Sequence, residues 1–207
     1  MKSHFYLLFL LLSCFVYGQT DLSDEELVNI WETLQSENEA EAVEVIDIHR
    51  DDLLFILEGL EQLYTADTVL SVLCSAISDL INTSPSKTEI ISKALLEFAI
   101  TQADTLNMAR AYSLIASSIG EMGENEKAVG YYFTALNLVN KIDHSGMKMS
   151  LINSLGSIHM NMGDYAKSKE YYSQYTKAAQ AINDVESLAV GYLNLANPFM
   201  GLEEYDS

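Results

Sequence analysis

Residues 153–172 read NSLGSIHMNMGDYAKSKEYY. A glycine, Gly156, sits inside an apolar helical pattern, a Met-Gly-Asp-Tyr break follows at 162–165, and a tyrosine pair closes the stretch. Sliding the chain against itself by 40 residues lays Gly123 on Gly163, Met122 on Met162, Glu124 on Asp164 and Lys127 on Lys167. The same shift lays Tyr131-Tyr132 on Tyr171-Tyr172, Ala128 on Ser168 and Ala116 on Gly156. A second step sets Leu195 under Leu155, Ala196 under Gly156 and Tyr205 under Tyr165. A fixed period of this length marks an array of units, none of which buries its apolar face alone; stacking buries it.

The spacing has a physical reading. Small residues at 116, 156 and 196 lie one turn from large apolar ones at 112, 115, 119 and 155, so a second helix can approach closely there. Gly123 and Gly163 end the first helix of a pair, where a positive φ is cheap only for glycine. Glu124 and Asp164 open the next helix, where the dipole favours an anion. Tyr132 and Tyr172 fill the gap between paired helices. The expectation is an all-α chain of stacked helix pairs.

These residues resemble the tetratricopeptide repeat. In 149–176 the likeness rests on Ile152, Leu155, Gly156, Gly163, Asp164, Tyr165, Ser168 and Tyr172, with His159 where an aromatic is usual. In 109–136 it rests on Tyr112, Ile115, Ala116, Gly123, Ala128, Tyr132 and Ala135, with Asn125 in place of the tyrosine. The period exceeds the family's usual length of about 34, so the helices should be longer. It resembles the extended form found in exported bacterial repeat proteins and in sensory regions of some bacterial signalling proteins. The resemblance implies a right-handed α-solenoid of antiparallel helix pairs.

The third copy, YLNLANPFMGLEEYDS, departs from the pattern. Pro198 falls inside its first helix, where it removes a hydrogen bond and should kink it. A solenoid closes on a polar capping element, and none stands before Ser207, so the chain is expected to be a piece of something longer. Upstream the repeat blurs. ADT recurs at 66–68 and 103–105, each time opening an apolar run, and Ser23 with Glu26 and Ser86 with Glu89 read as capping boxes. Helices are expected at about 24–36, 39–48, 51–64, 67–82, 87–102, 105–122, 125–142, 147–162, 165–182 and 185–202. This divides the mature chain into an acidic N-terminal region of degenerate pairs, 19–104, and the array proper, 105–207, with two complete repeats and a third cut short.

Composition narrows the function. At 207 residues and 49% hydrophobic content the chain can order a sizeable core. Two prolines and few glycine-rich turns argue against a many-stranded β fold. A net charge of −19 repels phosphate backbones, so nucleic acid is excluded as a partner of this region and anionic membrane surfaces are disfavoured. Residues 19–90 hold 2 basic and 17 acidic side chains, against 8 and 13 in 91–207. A solvated acidic face accounts for that skew; a basic-partner or cation surface along Glu37, Glu39, Glu41 and Glu44 is the alternative, though no EF-hand spacing supports it.

Residues 1–18 read as a secretory signal, with Lys2, an apolar run from Phe5 to Leu12 and small residues near Gly18. That run is short for a membrane span. Leu11-Leu12-Ser13-Cys14 offers a second reading, a lipoprotein box with Cys14 lipidated as a membrane tether. Either way the mature chain is expected outside the cytoplasm, periplasmic or at the cell surface. Cys74, between apolar neighbours, reads as a core thiol.

No catalytic pattern emerges, and no enzyme or cofactor is expected. HRDD at 49–52 resembles the kinase catalytic-loop triplet but has no phosphate loop or DFG beside it. His144 and His159 lack partners at metal-ligand spacing, and Gly120 with Gly123 is explained by helix packing. What remains is a binding surface. In the family, the first helix of each repeat lines a concave groove. By resemblance its contact positions fall on Arg110, Ser113, Ser117 and Glu121, then on Ser150, Asn153, Ser154, Ser157, Met160 and Asn161. In the third copy they fall on Leu193, Asn194, Asn197 and Met200. The asparagine amides can pair with a peptide backbone as donor and acceptor. The carboxylate clamp of chaperone-binding members is absent, since Ser113, Ser117, Ser154, Val190 and Asn194 occupy its places. Two readings of function follow: an exported scaffold binding a protein or extended peptide, or the sensory part of a larger membrane-bound signalling protein whose kinase, cyclase or regulatory output domain lies elsewhere.

Overall fold

The computed structural model describes residues 23–34, 53–65, 68–70, 72–74, 77, 81–82 and 84–205. The signal stretch with Cys14, the helix expected at 39–48 with its glutamates, and His49–Asp52 lie outside the described residues. Eight helices have defined bounds: α1 Asp24–Leu34, α2 Leu53–Leu63, α3 Pro85–Thr101, α4 Thr105–Glu121, α5 Asn125–Ile142, α6 Ser145–Asn161, α7 Tyr165–Ala181 and α8 Val185–Tyr205. There is no strand among the described residues, and sequence neighbours α3 to α8 pack on one another in turn. The all-α solenoid is therefore present, and α1 and α2 join it through a shared buried cluster.

Three buried clusters form its spine. The first joins Leu27 and Ile30 of α1, Ile56, Leu57 and Leu60 of α2, Val69, Leu70, Leu73 and Ile77, and Leu95 and Phe98 of α3 to Ala111 and Leu114 of α4. The second packs Ile115, Ala116 and Ile119 of α4 against Ala128, Tyr132 and Ala135 of α5 and Leu151, Leu155 and Ile158 of α6. The third lies between Met149 and Ile152 of α6 and Tyr175 and Ala179 of α7. Leu96 packs against both the first and second, and Tyr171 against both the second and third, so the clusters merge into one.

From α3 onward every turn uses one device. Ala103, Gly123, Asp143, Gly163 and Asn183 all have positive φ, between 51° and 85°. At four of them the next residue's N–H reaches back five residues to close a Schellman turn, as Asp104 to the carbonyl of Ala99 and Asp164 to that of His159. That same next residue then caps the following helix. Asp104 accepts from the Asn107 N–H at 3.0 Å, Asp164 from Lys167 at 3.2 Å and Asp184 from Ser187 at 3.1 Å. His144 Nδ1 does so for Met147 at 3.1 Å. The glycine ends at 123 and 163 and the anionic start at Asp164 are as the spacing predicts. Glu124 occupies the cap position without a side-chain cap bond.

Close approach is equally concrete. A Cβ on Gly156 would stand 2.7 Å from the Tyr172 ring, and one on Gly120 would stand 2.9 Å from Ile158 Cδ1. The tyrosine therefore occupies the space the missing side chain leaves. His159 behaves as the aromatic it replaces, stacked on Tyr171 with centroids 5.5 Å apart.

Two expectations need correction. The capping box at Ser23 and Glu26 forms, with Ser23 N–H donating to Glu26 at 2.7 Å and Glu26 N–H to Ser23 Oγ at 3.3 Å. The one at Ser86 and Glu89 does not. α3 begins earlier, with Ser84 at the N-cap and Pro85 just inside, a position where proline's preset φ and absent N–H cost nothing. Ser86 instead donates to Met122 Sδ at 3.4 Å, and Glu89 receives Lys93 at 2.7 Å. At the other end, α8 does not stop near 202. It runs through Pro198 to Tyr205, because Glu203 stands where Gly123 and Gly163 take the left-handed conformation, and extension of the helix costs less there.

Candidate protein-binding groove

The first helices of the repeats, α4, α6 and α8, supply the expected groove residues. Their contact positions recur three and four residues apart, so each set shares one helical face. Between α4 and α6 this face opens a cleft of about 270 Å³. Ser117 and Glu121 line it from α4, and Asn153, Ser154, Ser157 and Asn161 from α6. Six of the positions expected from sequence are thus brought together, with Ile81, Gly120 and Ile158 among the apolar lining.

The polar groups there are organised. Ser117 Oγ donates to the Ser113 carbonyl at 3.0 Å and lies 2.8 Å from the Tyr132 hydroxyl. Burial pushes the Tyr132 phenol above its ordinary pKa, against the opposing hydrogen bonds with Ser117 and Ser154, so the hydroxyl is neutral and can donate or accept. Glu121, exposed at the end of α4, is the one carboxylate of the lining. No basic side chain is among the lining residues, so the cleft favours neutral or cationic groups over anions.

The remaining positions divide. Asn194 Nδ2 donates to Asn153 Oδ1 at 2.8 Å, tying α8 to α6 across the groove. Arg110 is turned to structural use, donating to Asn107 Oδ1 at 2.9 Å, while Asn107 donates to Asp104 Oδ2 at 2.6 Å. Ser113 and Met160 are half-buried and Ser150, Leu193, Asn197 and Met200 are exposed, all of them outside the cleft lining. Tyr132, which sequence reading placed in the core, also reaches the cleft. Ile81 and Asn82 were missed altogether; they precede the Thr-Ser-Pro turn signal at 83–85, a cue to a chain reversal but not to its place beside α4 and α6.

Burial raises the Cys74 thiol to about 11, so it stays protonated and packs as a half-buried neutral group against the first cluster. His159 Nδ1 is 3.5 Å from Asp164 Oδ2, but the described residues contain no group of three or more metal-ligating side chains. None of the described helices is long and apolar enough to cross a membrane.

Comparison with known proteins agrees with the fold. A family model described as tetratricopeptide repeat matches residues 150–182, most of α6, the Gly163 turn and α7. No curated protein matches the chain. Among solved structures, a signal transduction ATPase with numerous domains and a tetratricopeptide repeat sensor, from Pyrococcus horikoshii, is similar at a TM-score of 0.62 and 20% identity. The likeness covers 87% of this chain and 26% of that one, so the chain spans about a quarter of that protein's length. BtubC from P. vanneervenii is similar at a TM-score of 0.44 and 14% identity, over 90% of this chain and 87% of that one. Residues 150–182 thus match the tetratricopeptide repeat model, and the described chain has an all-α solenoid fold similar to that of the tetratricopeptide-repeat sensor protein.

Proposed function

We propose that this chain is a non-catalytic protein-interaction scaffold, and that its concave face, centred on the cleft between α4 and α6, receives an extended segment of a partner protein. The observation that carries the reading is the convergence of Ser117, Glu121, Asn153, Ser154, Ser157 and Asn161, drawn from two separate repeats, on one cleft. Hydroxyls and amides offer both donors and acceptors to a peptide backbone, and Leu193 and Met200 on α8 add exposed apolar side chains. With Glu121 as its one carboxylate and no lysine or arginine in the lining, the groove suits an internal segment rather than a terminal carboxylate. The N-terminal signal expected at 1–18 would put this binding outside the cytoplasm.

The test is selection of random displayed peptides on the full chain, followed by titration of the selected peptides onto Ser157→Arg. Ser157 is exposed, so the variant should keep its helical circular dichroism, with a small drop in melting temperature because Ser157 hydrogen-bonds Tyr172. An arginine there fills the cleft, and binding should fall by roughly tenfold or more. Peptides that bind the folded variant as tightly as wild type would remove this cleft from consideration as the site.

A further inference from the structure

One end of the cleft between α4 and α6 differs from the rest. Glu121 and Asn161 occupy the same register one repeat apart, and the third copy has Gly201 there, so a carboxylate stands at this level only on α4. Each is also the last residue of its helix, and both line the cleft. Helix C-termini carry partial negative charge and commonly hold a lysine or arginine in their last turn. Here α4 has no basic side chain in its last turn, and α6 has only His159, which stacks on Tyr171. Among the described residues no lysine or arginine pairs with Glu121, whereas Glu89, Glu124 and Asp164 each hold a lysine. The charge of Glu121 also reaches inward, since it adds to the rise of the Tyr132 phenol. Beside it the wall turns apolar, with Ile81, Gly120 and Ile158 in the lining.

Resting on the cleft as the binding site proposed above, we infer that it reads one long basic side chain, a lysine or arginine within the partner's segment. The aliphatic stem of that residue lies along Ile81, Gly120 and Ile158, and its charged head meets the Glu121 carboxylate and the Asn161 amide at the ends of the two helices. The alternatives fit less well. An acidic side chain would face a carboxylate and two helix C-termini of its own sign. A long neutral one would cover the apolar wall but leave Glu121 without a counter-charge. A metal ion needs several oxygen ligands, and Glu121 is the one carboxylate of the lining. The net charge of −19 works in the same direction, drawing basic segments towards the chain before contact and repelling acidic ones. Because Glu121 is exposed, the attraction is screened, and affinity falls as salt is raised.

The probe is the random displayed-peptide library, selected in parallel on the full wild-type chain and on Glu121→Lys. Wild-type peptides that Ser157→Arg releases should share a lysine or arginine at one position, and selection on Glu121→Lys should not enrich it. Titrated with one such peptide, Glu121→Gln is expected to bind about threefold to fivefold more weakly, with unchanged circular dichroism because the side chain is exposed. Replacing the peptide's basic residue by methionine keeps the stem and removes the charge, so Glu121→Gln should then make no difference. Glu170→Gln alters an exposed carboxylate on α7 outside the cleft lining and should be without effect. An equal loss there would trace the attraction to overall charge and overturn the inference. Peptides released by Ser157→Arg that share no basic residue, or that ignore Glu121→Gln, overturn it while leaving the cleft as the binding site. If Ser157→Arg releases no peptide, the cleft itself fails as the site and the inference falls with it.

Discussion

The N-terminal helices and the two regular repeats bury their apolar faces by different means. The first cluster is made of large aliphatic residues, with Leu57, Leu60, Leu70, Ile77 and Leu95 almost wholly buried around Phe98. Its one described glycine, Gly59, meets an aliphatic side chain, with the place of a Cβ 2.9 Å from Leu27 Cδ1. In the repeats, by contrast, small residues are matched to specific large ones: Gly156 under Tyr172, Gly120 under Ile158, Ala128 and Ala135 beside Tyr132. Undirected burial stabilises stacking in proportion to area, whereas a keyed contact depends on shape. That difference explains why only the second region leaves a periodic trace in the sequence, since many aliphatic combinations satisfy the first.

Substitutions can break this contrast or sharpen it. The largest effect is expected from Phe98→Ala, which removes a fully buried ring and should cost about 3–5 kcal/mol of unfolding free energy, read from urea titration. A loss under about 1 kcal/mol would mean the first cluster can collapse around the void and is less tightly packed than described. Next comes Gly156→Ala. Its Cβ would press on the Tyr172 ring at 2.7 Å, and overpacking of this kind costs about 1–3 kcal/mol. The volume-conserving Leu70→Met in the first cluster should stay below about 1.5 kcal/mol. Equal losses from these last two would erase the distinction between keyed and undirected packing. If the key is real, combining Gly156→Ala with Tyr172→Leu should also cost less than the sum of the singles.

Asp104 joins the two regions, and its replacement should have a smaller effect. Asp104→Ala removes an N-cap and the partner of buried Asn107, for about 1–2 kcal/mol, while Glu124→Ala, without a cap bond to lose, should be close to neutral. The smallest effect is that of pH. Burial holds the His159 imidazole below its ordinary pKa of 6.5, with Asp164 opposing and Lys167 adding to the shift. The unfolded chain therefore takes up this proton first as pH falls. Stability from this group is complete above about 6.5 and declines as pH drops through that value towards the folded pKa. His159→Phe should flatten that part of the profile while keeping the stack on Tyr171. Asp164 is held below its ordinary 3.8, chiefly by its hydrogen bond with Lys167.

How much of this was legible depended on whether a residue's role was set by local chemistry. Gly123 and Gly163 announced their turns because only glycine takes positive φ freely; Ala103, Asp143 and Asn183 adopt it too, and their side chains gave no comparable sign. The pairing of Gly156 with Tyr172 was readable from register, since the repeat fixed both ends of the contact. The cleft was half-readable. Its walls on α4 and α6 follow from helical spacing, but Ile81 and Asn82 arrive from a degenerate segment whose position depends on tertiary packing. The Asn153–Asn194 bond and the diversion of Arg110 to Asn107 were likewise invisible, because each depends on which of several partners lies nearest.

The turns have one further consequence. Left-handed residues at 103, 123, 143, 163 and 183 are evenly spaced, so inner and outer helices have nearly the same length and meet the same junction. A gene recombining between equivalent junctions two turns apart would gain or lose one whole unit, and the new joint would be chemically like those already there. Recombination between successive turns would instead leave an outer helix where an inner one belongs, setting Tyr132 or Tyr172 against the wrong neighbour. The regular turn thus makes copy number easy to change in whole units, while the keyed small residues and tyrosines penalise half units.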